Sequence, residues 1–257
     1  MSLKETFTSR ESRVYRVMMF VDMTDSTAIK ERETEAHWLT TYGYFFDLVG
    51  REIGPDQIVE YLGDGILAAY EDADAAEAIN AAIRIQEKLA NDNEDRIVCC
   101  RCSIGVSAGE VIAYRDPRGA GHYIGTVVDR AFRLCSHARP KAILVDKATV
   151  DTAAMNRVKA AAGKRLRKGT VEDYVGELQL VTLKGFRAPV RYYEIWWDRT
   201  RYGVASAEEG HRAMSERTSP GEGLRTSPDG PPKTAEGTAG KGNAPNPIRI
   251  KSLNDEI

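Results

Sequence analysis

The chain has 257 residues, with 36 lysines and arginines against 38 aspartates and glutamates, so its formal net charge at pH 7 is −2. Without a basic excess it lacks the electrostatic pattern of a nucleic-acid-binding protein. No apolar run approaches the roughly 20 residues that a membrane helix needs, and the N-terminus lacks the apolar core of a secretory signal. We therefore expect a cytoplasmic globular protein that neither inserts into a membrane nor binds nucleic acid.

The composition changes near residue 205. From Ala205 onward the sequence has no Phe, Tyr or Trp, and it holds six of the ten prolines. Such a segment cannot bury enough apolar surface to offset its chain entropy. The sequence therefore predicts an N-terminal extension over residues 1–13, one folded domain over 14–204 and a disordered tail over 205–257.

Hydrophobic patterning predicts alternating strands and helices within the domain. The first four strands and two helices follow the order strand, helix, strand, strand, helix, strand, which is typical of an α/β (α+β) ferredoxin-like sandwich. In chain order we predict a strand at Val14–Val21, a helix at Ala28–Ile53, strands at Gln57–Leu62 and Ile66–Tyr70, a helix at Asp74–Leu89, strands at Ile97–Ala108 and Glu110–Tyr114, a helix at Val127–His137, and strands at Ala142–Val145, Leu178–Leu183 and Val190–Trp196.

Two aspartates mark the first candidate site. Asp22 ends the first strand and Asp64 lies at the tip of the next hairpin, which a ferredoxin-like sheet places beside that strand. Two close carboxylates repel unless a cation lies between them, and a pair of divalent metals is the usual device for in-line phosphoryl displacement. The turn Met23–Thr27 would offer backbone N–H groups to a triphosphate. Taken singly, each Asp is better explained by the frequency of Asp in turns than by a metal site.

Six segments in a fixed order resemble the class III nucleotidyl cyclase family. They run from about residue 14 to 197, and the ordered set is far more specific than any one segment. The segments are Phe20–Thr27, Gly63–Ala68, Gly105–Val111, Gly125–Leu134, Leu183–Phe186 and Val190–Glu194. The resemblance implies the cyclase type of ferredoxin-like sandwich and a metal-dependent cyclisation of a nucleoside triphosphate.

The resemblance also implies roles for individual residues. Asp22 and Asp64 match the family's metal-binding aspartates, which hold two divalent cations (Mn²⁺ or Mg²⁺), and Met23 matches the residue that lends a backbone carbonyl. Lys184 matches a triphosphate-binding lysine. The other positions that match triphosphate-contacting residues are Phe20, Thr24, Asp25, Ser26 and Thr27.

Two residues on the predicted helix Val127–His137 match the other half of the family's site. Arg133 matches the arginine that neutralises charge in the transition state. Asp129 stands where the family usually has an Asn that holds the ribose; an Asp accepts hydrogen bonds but cannot donate one, and it adds negative charge. Because the family builds each site from two chains and this chain carries both halves, the resemblance implies a homodimer with two shared active sites.

Three residues bear on which base is bound. Glu60 stands where adenylate cyclases have Lys and guanylate cyclases have Glu, and an ionised Glu accepts from the N–H groups of guanine, cytosine or uracil. His122 falls on the second base-reading position and matches neither class; a simple loop histidine is an equal alternative. Strand alternation places Tyr61 opposite Glu60, packed under a helix, although a bulge would turn it into the pocket and favour a one-ring base.

With Glu60, His122 and Asp129 at these positions, the chain resembles the bacterial pyrimidine cyclases of the Pycsar anti-phage defence system. That likeness implies a uridylate cyclase, or else a cytidylate cyclase, whose cyclic nucleotide activates an effector protein. A guanylate cyclase, supported by Glu60 alone, is the first alternative. A catalytically silent cyclase fold that senses nucleotide or dimerises is the second. The presence of Asp22, Asp64 and Arg133 favours an enzyme.

Overall fold

A computed structural model describes residues 3–94, 100–158 and 175–198. The predicted tail and the beginning of the strand predicted from Ile97 lie outside these residues. The strands are β1 (Arg13–Met23), β2 (Ile58–Leu62), β3 (Gly65–Tyr70), β4 (Cys102–Arg115), β5 (Gly121–Ile124), β6 (Ile143–Asp146), β7 (Gln179–Val181) and β8 (Val190–Glu194). The α-helices are α1 (Leu3–Thr8), α2 (Ser26–Arg32), α3 (Glu35–Ile53), α4 (Ala75–Glu94), α5 (Thr126–His137) and α6 (Lys147–Thr152). No helix in the described ranges is long and apolar enough to cross a membrane.

The strands form one sheet in the order β2-β3-β1-β4-β6-β8-β7, with β5 paired to β4 outside this path. β1 pairs antiparallel with both β3 and β4, and β2 pairs antiparallel with β3. This central order is that of the predicted ferredoxin-like sandwich. It is extended by β6, which runs parallel to β4, and then by β8 and β7.

Helices cover both faces of β1, which explains why its sequence is apolar without alternation. Met19 and Val21 belong to the larger core, which includes the buried sides of α3 and α4. Met18 and Phe20 point to the other face, where they pack with residues of α5. The alternation along β1 therefore assigns Asp22 to the α5 face of the sheet.

The predicted helix Ala28–Ile53 is two helices. Thr34 adopts an extended conformation (φ −66°, ψ 153°) between α2 and α3, and its carbonyl accepts from the N–H groups of His37 and Trp38. The hydrophobic spacing of α3 does not reveal this break, because Thr34 is a polar N-cap residue on an exposed surface.

The two strands predicted around Gly109 are one continuous strand, β4. Gly109 has φ +152°, and a Cβ there would lie 2.8 Å from a methyl group of Val127 on α5, so glycine is needed for helix packing and does not end the strand. Among the α-helices and strands of the described residues, α1, α6 and β5 were not predicted. The last of these carries His122, which is therefore a strand residue and not a loop residue.

Candidate functional site

The end of β1 and the β2–β3 turn bring Asp22 and Asp64 together. Asp22 pairs with Gly65 in the ladder, and the N–H of Met23 donates to the carbonyl of Asp64 at 3.1 Å. The β2–β3 turn can approach the end of β1 because Gly65 has no side chain. A Cβ at this position would lie 2.5 Å from the ring of Phe20. Glycine is thus required for the strand end and the hairpin tip to meet.

Burial and the charge of Asp64 both act on the carboxyl group of Asp22. Burial, and after it the neighbouring charge of Asp64, raise the pKa of the Asp22 carboxyl to about 6. Oxygen-donor pairs of this kind suit hard divalent cations such as Mg²⁺ and Mn²⁺, which would relieve the repulsion. The donor set therefore fits a divalent metal, although no group of three or more His, Cys, Asp or Glu side chains suited to a metal occurs among the described residues.

Ser26 orients one member of the pair. It is the first residue of α2, it is buried, and its hydroxyl donates to Oδ2 of Asp64. This bond ties the turn that follows β1 to the β2–β3 turn. It also fixes which oxygen of Asp64 stays available to a ligand.

The rest of the turn is held by Arg101, a residue that the sequence analysis did not single out. The N–H of Thr24 donates to the Arg101 carbonyl at 2.8 Å, and the Arg101 guanidinium pairs with Asp25 at 2.9 Å. Asp25 has left-handed geometry (φ 60°, ψ 23°). The hydroxyl of Thr24 is buried with no partner in the described ranges. Thr27 is exposed on α2.

Phe20 and Met23 are placed in β1 and not in the turn. Phe20 is 8% exposed, and its ring packs on that of Phe132 with centroids 4.0 Å apart. The Phe20 side chain therefore packs under the Gly65 turn, and the match of Phe20 to a triphosphate-contacting position stays a prediction. Met23 is buried, and only its backbone is in a position to serve the site.

Asp129 and Arg133 lie one turn apart on the exposed side of α5, while Ala131 and Leu134 are buried. In the described ranges neither charged side chain forms an ion pair with Asp22 or Asp64, or with any other residue. Within one chain, the two aspartates and the arginine therefore form no ion pair with one another in the described ranges. Lys184 is exposed in the turn between β7 and β8.

Glu60 and His122 come together although β2 and β5 do not pair with each other. Oε2 of Glu60 lies 3.9 Å from Nδ1 of His122. Tyr61 projects toward α3 instead: its ring meets that of Phe46 edge-on at 5.6 Å, and the residue is 55% exposed. β2 contains a bulge between Ile58 and Glu60, which precedes Tyr61 and leaves it on the α3 side.

The described fold is similar to those of solved nucleotidyl cyclases. The guanylyl cyclase Cya2 matches 71% of this chain and 92% of its own, with 19% identity and a TM-score of 0.58. The adenylyl cyclase CyaB from P. aeruginosa matches 71% of this chain and 94% of its own, with 16% identity and a TM-score of 0.57. An adenylate/guanylate cyclase/hydrolase from Silicibacter pomeroyi matches 72% of this chain and 98% of its own, with 25% identity and a TM-score of 0.57.

Comparison by sequence finds similar proteins of undescribed function. Uncharacterised proteins from Mycobacterium tuberculosis (strain H37Rv) and Mycobacterium bovis are each 28% identical over 155 residues, which is 54% of this chain. The match covers 28% of their length, so the chain corresponds to less than a third of these curated relatives. No protein-family model matches the chain. The structural comparisons nevertheless agree with the expected fold class, and the described residues have the fold of the class III nucleotidyl cyclase catalytic domain.

Proposed function

We propose that the protein is a divalent-metal-dependent nucleotidyl cyclase that converts a nucleoside triphosphate to its 3′,5′-cyclic monophosphate and pyrophosphate. The observation that carries the proposal is the meeting of Asp22 and Asp64 at the end of β1. There the ladder pairs Asp22 with Gly65, and burial together with Asp64 raises the pKa of the Asp22 carboxyl. An Asp22 carboxyl with this raised pKa, beside a second carboxylate, would exchange its proton for a divalent cation.

Asp22 and Asp64 would hold the cations, and Ser26 would keep Asp64 in one orientation through its hydroxyl. When bound, two such cations would neutralise the triphosphate and lower the pKa of the attacking 3′-hydroxyl. The turn Thr24–Thr27 would meet the phosphates with its backbone N–H groups and the hydroxyl of Thr24, which lacks a partner in the described part of the chain.

A second copy of the chain would complete the site. Arg133 is exposed and unpaired within the described ranges, so it is available to neutralise the charge that builds on the α-phosphoryl group of a nucleotide bound to a partner. Asp129, one turn earlier, would accept a hydrogen bond from a ribose hydroxyl. We therefore propose a homodimer with two equivalent sites, to which Lys184 adds a triphosphate contact.

We propose a pyrimidine substrate, UTP in preference to CTP. The support is the proximity of Glu60 and His122 across two unpaired strands, which makes one acceptor and one ring N–H available at the same place. Tyr61 lies toward α3, so its part in base selection would be to limit the pocket from the side of that helix. The cyclic product would act as a second messenger in anti-phage defence through an effector that binds it.

The test is an assay of the purified protein with each of ATP, GTP, CTP and UTP, with Mn²⁺ or Mg²⁺. We expect UTP to give the highest kcat/KM, with release of pyrophosphate, and activity that rises with protein concentration as dimers form. Asp22→Asn should abolish turnover, whereas Asp56→Asn, an exposed acid in the turn before β2, should not change it. GTP as the best substrate would favour the guanylate cyclase alternative, and no turnover of any nucleotide would favour the silent module.

A further inference from the structure

Lys30 lies on the same side of α2 as Ser26. The two residues are four positions apart, about one helical turn, so their side chains leave the helix in nearly the same direction. Ser26 is buried, and its hydroxyl donates to Oδ2 of Asp64. Lys30 is exposed. The side of α2 that contacts Asp64 therefore carries a lysine one turn further along the helix.

The ammonium group of Lys30 lies over an aromatic ring. Its Nζ is 5.2 Å from the centroid of the Tyr42 ring, over the face that attracts cations. The ring of Tyr42 contacts those of Trp38 and Phe46, one turn away on either side along α3, with centroid distances of 5.5 and 6.0 Å. These neighbours restrict the movement of the Tyr42 ring. The lysine therefore has a preferred position against α3, unlike a lysine that extends freely into solvent.

The positive charge of Lys30 acts on the site of the two aspartates. The side chain of Tyr42 is the main cause that raises the pKa of Lys30, and the negative charge of Asp64 contributes to the same shift. Lys30 is therefore charged at neutral pH and is close enough to Asp64 for the two charges to attract each other. Within the described ranges it forms no direct ion pair, whereas Arg101 at the same turn is paired with Asp25 at 2.9 Å. The charge of Lys30 thus remains available to an anion that binds beside Asp64.

We propose that Lys30 binds a phosphate group of the nucleoside triphosphate and that Tyr42 holds its ammonium group when no nucleotide is bound. A lysine ammonium is a compact charge with three N–H donors on a flexible chain, and such a group binds phosphate oxygens through charge-assisted hydrogen bonds. A cation–π contact at an exposed site is weaker than such a bond, so a bound phosphate would draw the ammonium group away from the ring. The inference rests on the proposed function and adds a phosphate-binding residue from the same chain as Asp22 and Asp64.

Lys30→Met is the discriminating variant. Met keeps an unbranched apolar chain of similar length and removes the charge, and an exposed position tolerates the change without loss of the fold. We expect KM for the preferred nucleotide to rise about tenfold, as for the loss of one charged hydrogen bond, with kcat changed less than about twofold. Lys30→Arg keeps the charge and should restore KM to within about threefold of the wild-type value.

Arg32→Met is the matched control. Arg32 is exposed two positions further along α2, so its side chain leaves the helix on nearly the opposite side from Lys30. The substitution removes one positive charge from the same helix and should change KM by less than about twofold, because solvent and salt screen a charge on that side. An equal rise of KM in Arg32→Met would assign the effect to the net charge near the site, and an unchanged KM in Lys30→Met would exclude the phosphate contact. Either result would overturn the inference.

A readout without turnover separates this inference from the proposed function. Calorimetric titration of inorganic pyrophosphate into the nucleotide-free protein, with Mg²⁺ present, should give a Kd about tenfold higher for Lys30→Met than for the wild type and Arg32→Met. Equal Kd values for all three proteins would overturn the inference, and tighter Mg²⁺ binding by Lys30→Met would then assign Lys30 to the neutralisation of Asp64. A wild-type protein inactive on all four nucleotides would overturn the proposed function alone if its affinity for pyrophosphate still depended on Lys30.

Discussion

Replacing Asp22 with asparagine should stabilise the metal-free protein at neutral and alkaline pH. Burial and the charge of Asp64 raise the pKa of Asp22 from 3.8 to about 6 in the folded chain. Because the folded-state pKa lies above the unfolded one, folding favours the protonated carboxyl. The ionised Asp22 therefore costs stability at pH values above 6, and this cost disappears as the pH falls through 6 toward 4.

The magnitude follows from the size of the shift. A rise of about two pKa units corresponds to about 3 kcal/mol in full, but Asp22 is only partly buried, so solvent screening reduces the expected effect to about 1–2 kcal/mol. Asn has nearly the same shape and carries no charge. Asp22→Asn should therefore raise the free energy of unfolding by this amount at pH 8 and leave it unchanged at pH 4.

Urea unfolding followed by circular dichroism, in the presence of EDTA, measures this difference at the two pH values. Asp56→Asn controls for the loss of one negative charge at an exposed position and should change stability by less than about 0.5 kcal/mol. Adding Mn²⁺ at pH 8 should stabilise the wild type and not Asp22→Asn, because only an intact pair binds the cation tightly. A variant that is less stable than the wild type at pH 8, or equally stabilised at both pH values, would refute the assigned electrostatic repulsion.

Three further substitutions, the first with a matched glycine control, test the packing, the charge pairing and the backbone geometry of the fold and the site. Gly105→Ala should prevent folding or lower the free energy of unfolding in urea by more than about 3 kcal/mol, because its Cβ would lie 2.2 Å from a backbone carbonyl of α5. The control Gly43→Ala meets nothing within 4 Å and should raise the free energy of unfolding by about 0.5–1 kcal/mol through α3. Equal effects of the two substitutions would contradict the close approach of α5. Arg130→Ala should lower the free energy of unfolding by about 3 kcal/mol, since Asp146 is 2% exposed and would lose the charged partner that lies 2.7 Å away. A decrease below about 1 kcal/mol in the same assay would show that the other hydrogen bonds of Asp146 are enough to stabilise its buried charge. Asp25→Gly should leave the stability unchanged or raise it by up to about 1 kcal/mol in thermal unfolding, because glycine relieves the strain of the φ of 60° and only an exposed ion pair is lost. A clear decrease in Tm would show that the ion pair with Arg101 stabilises the turn.

The order of the elements follows from local sequence chemistry. Continuous apolar runs predicted β1 and β3, and helical spacing with a Pro stop predicted α5, because these signals depend on residues near in the chain. The break at Thr34 was missed, since a single polar N-cap inside an amphipathic pattern does not interrupt the spacing. The strand β5 was missed because Gly119–Gly121 is typical of a loop, and only pairing with β4 makes the following residues a strand.

Much of the candidate site was also predicted from the sequence. Asp22 stands out because it ends a buried strand just before a turn, and Asp64 because it lies in the tip of the next hairpin. The βαββαβ order places the strand end and the hairpin tip next to each other. The packing of Phe20 under the Gly65 turn could not be predicted, because it depends on the hairpin tip meeting the end of β1. Arg101 was missed because nothing near it in the chain indicates that it pairs with Asp25.

The sequence alone determined the sandwich, the two aspartates and the helix that carries Asp129 and Arg133, because short-range periodicity, turn residues and segment order are all encoded locally. Only the tertiary structure decided that Glu60 meets His122 across strands that do not pair, and that Gly105 brings α5 against the sheet. Such contacts join residues tens of positions apart, and they depend on sheet twist, a bulge and the absence of a single Cβ, none of which a linear pattern records.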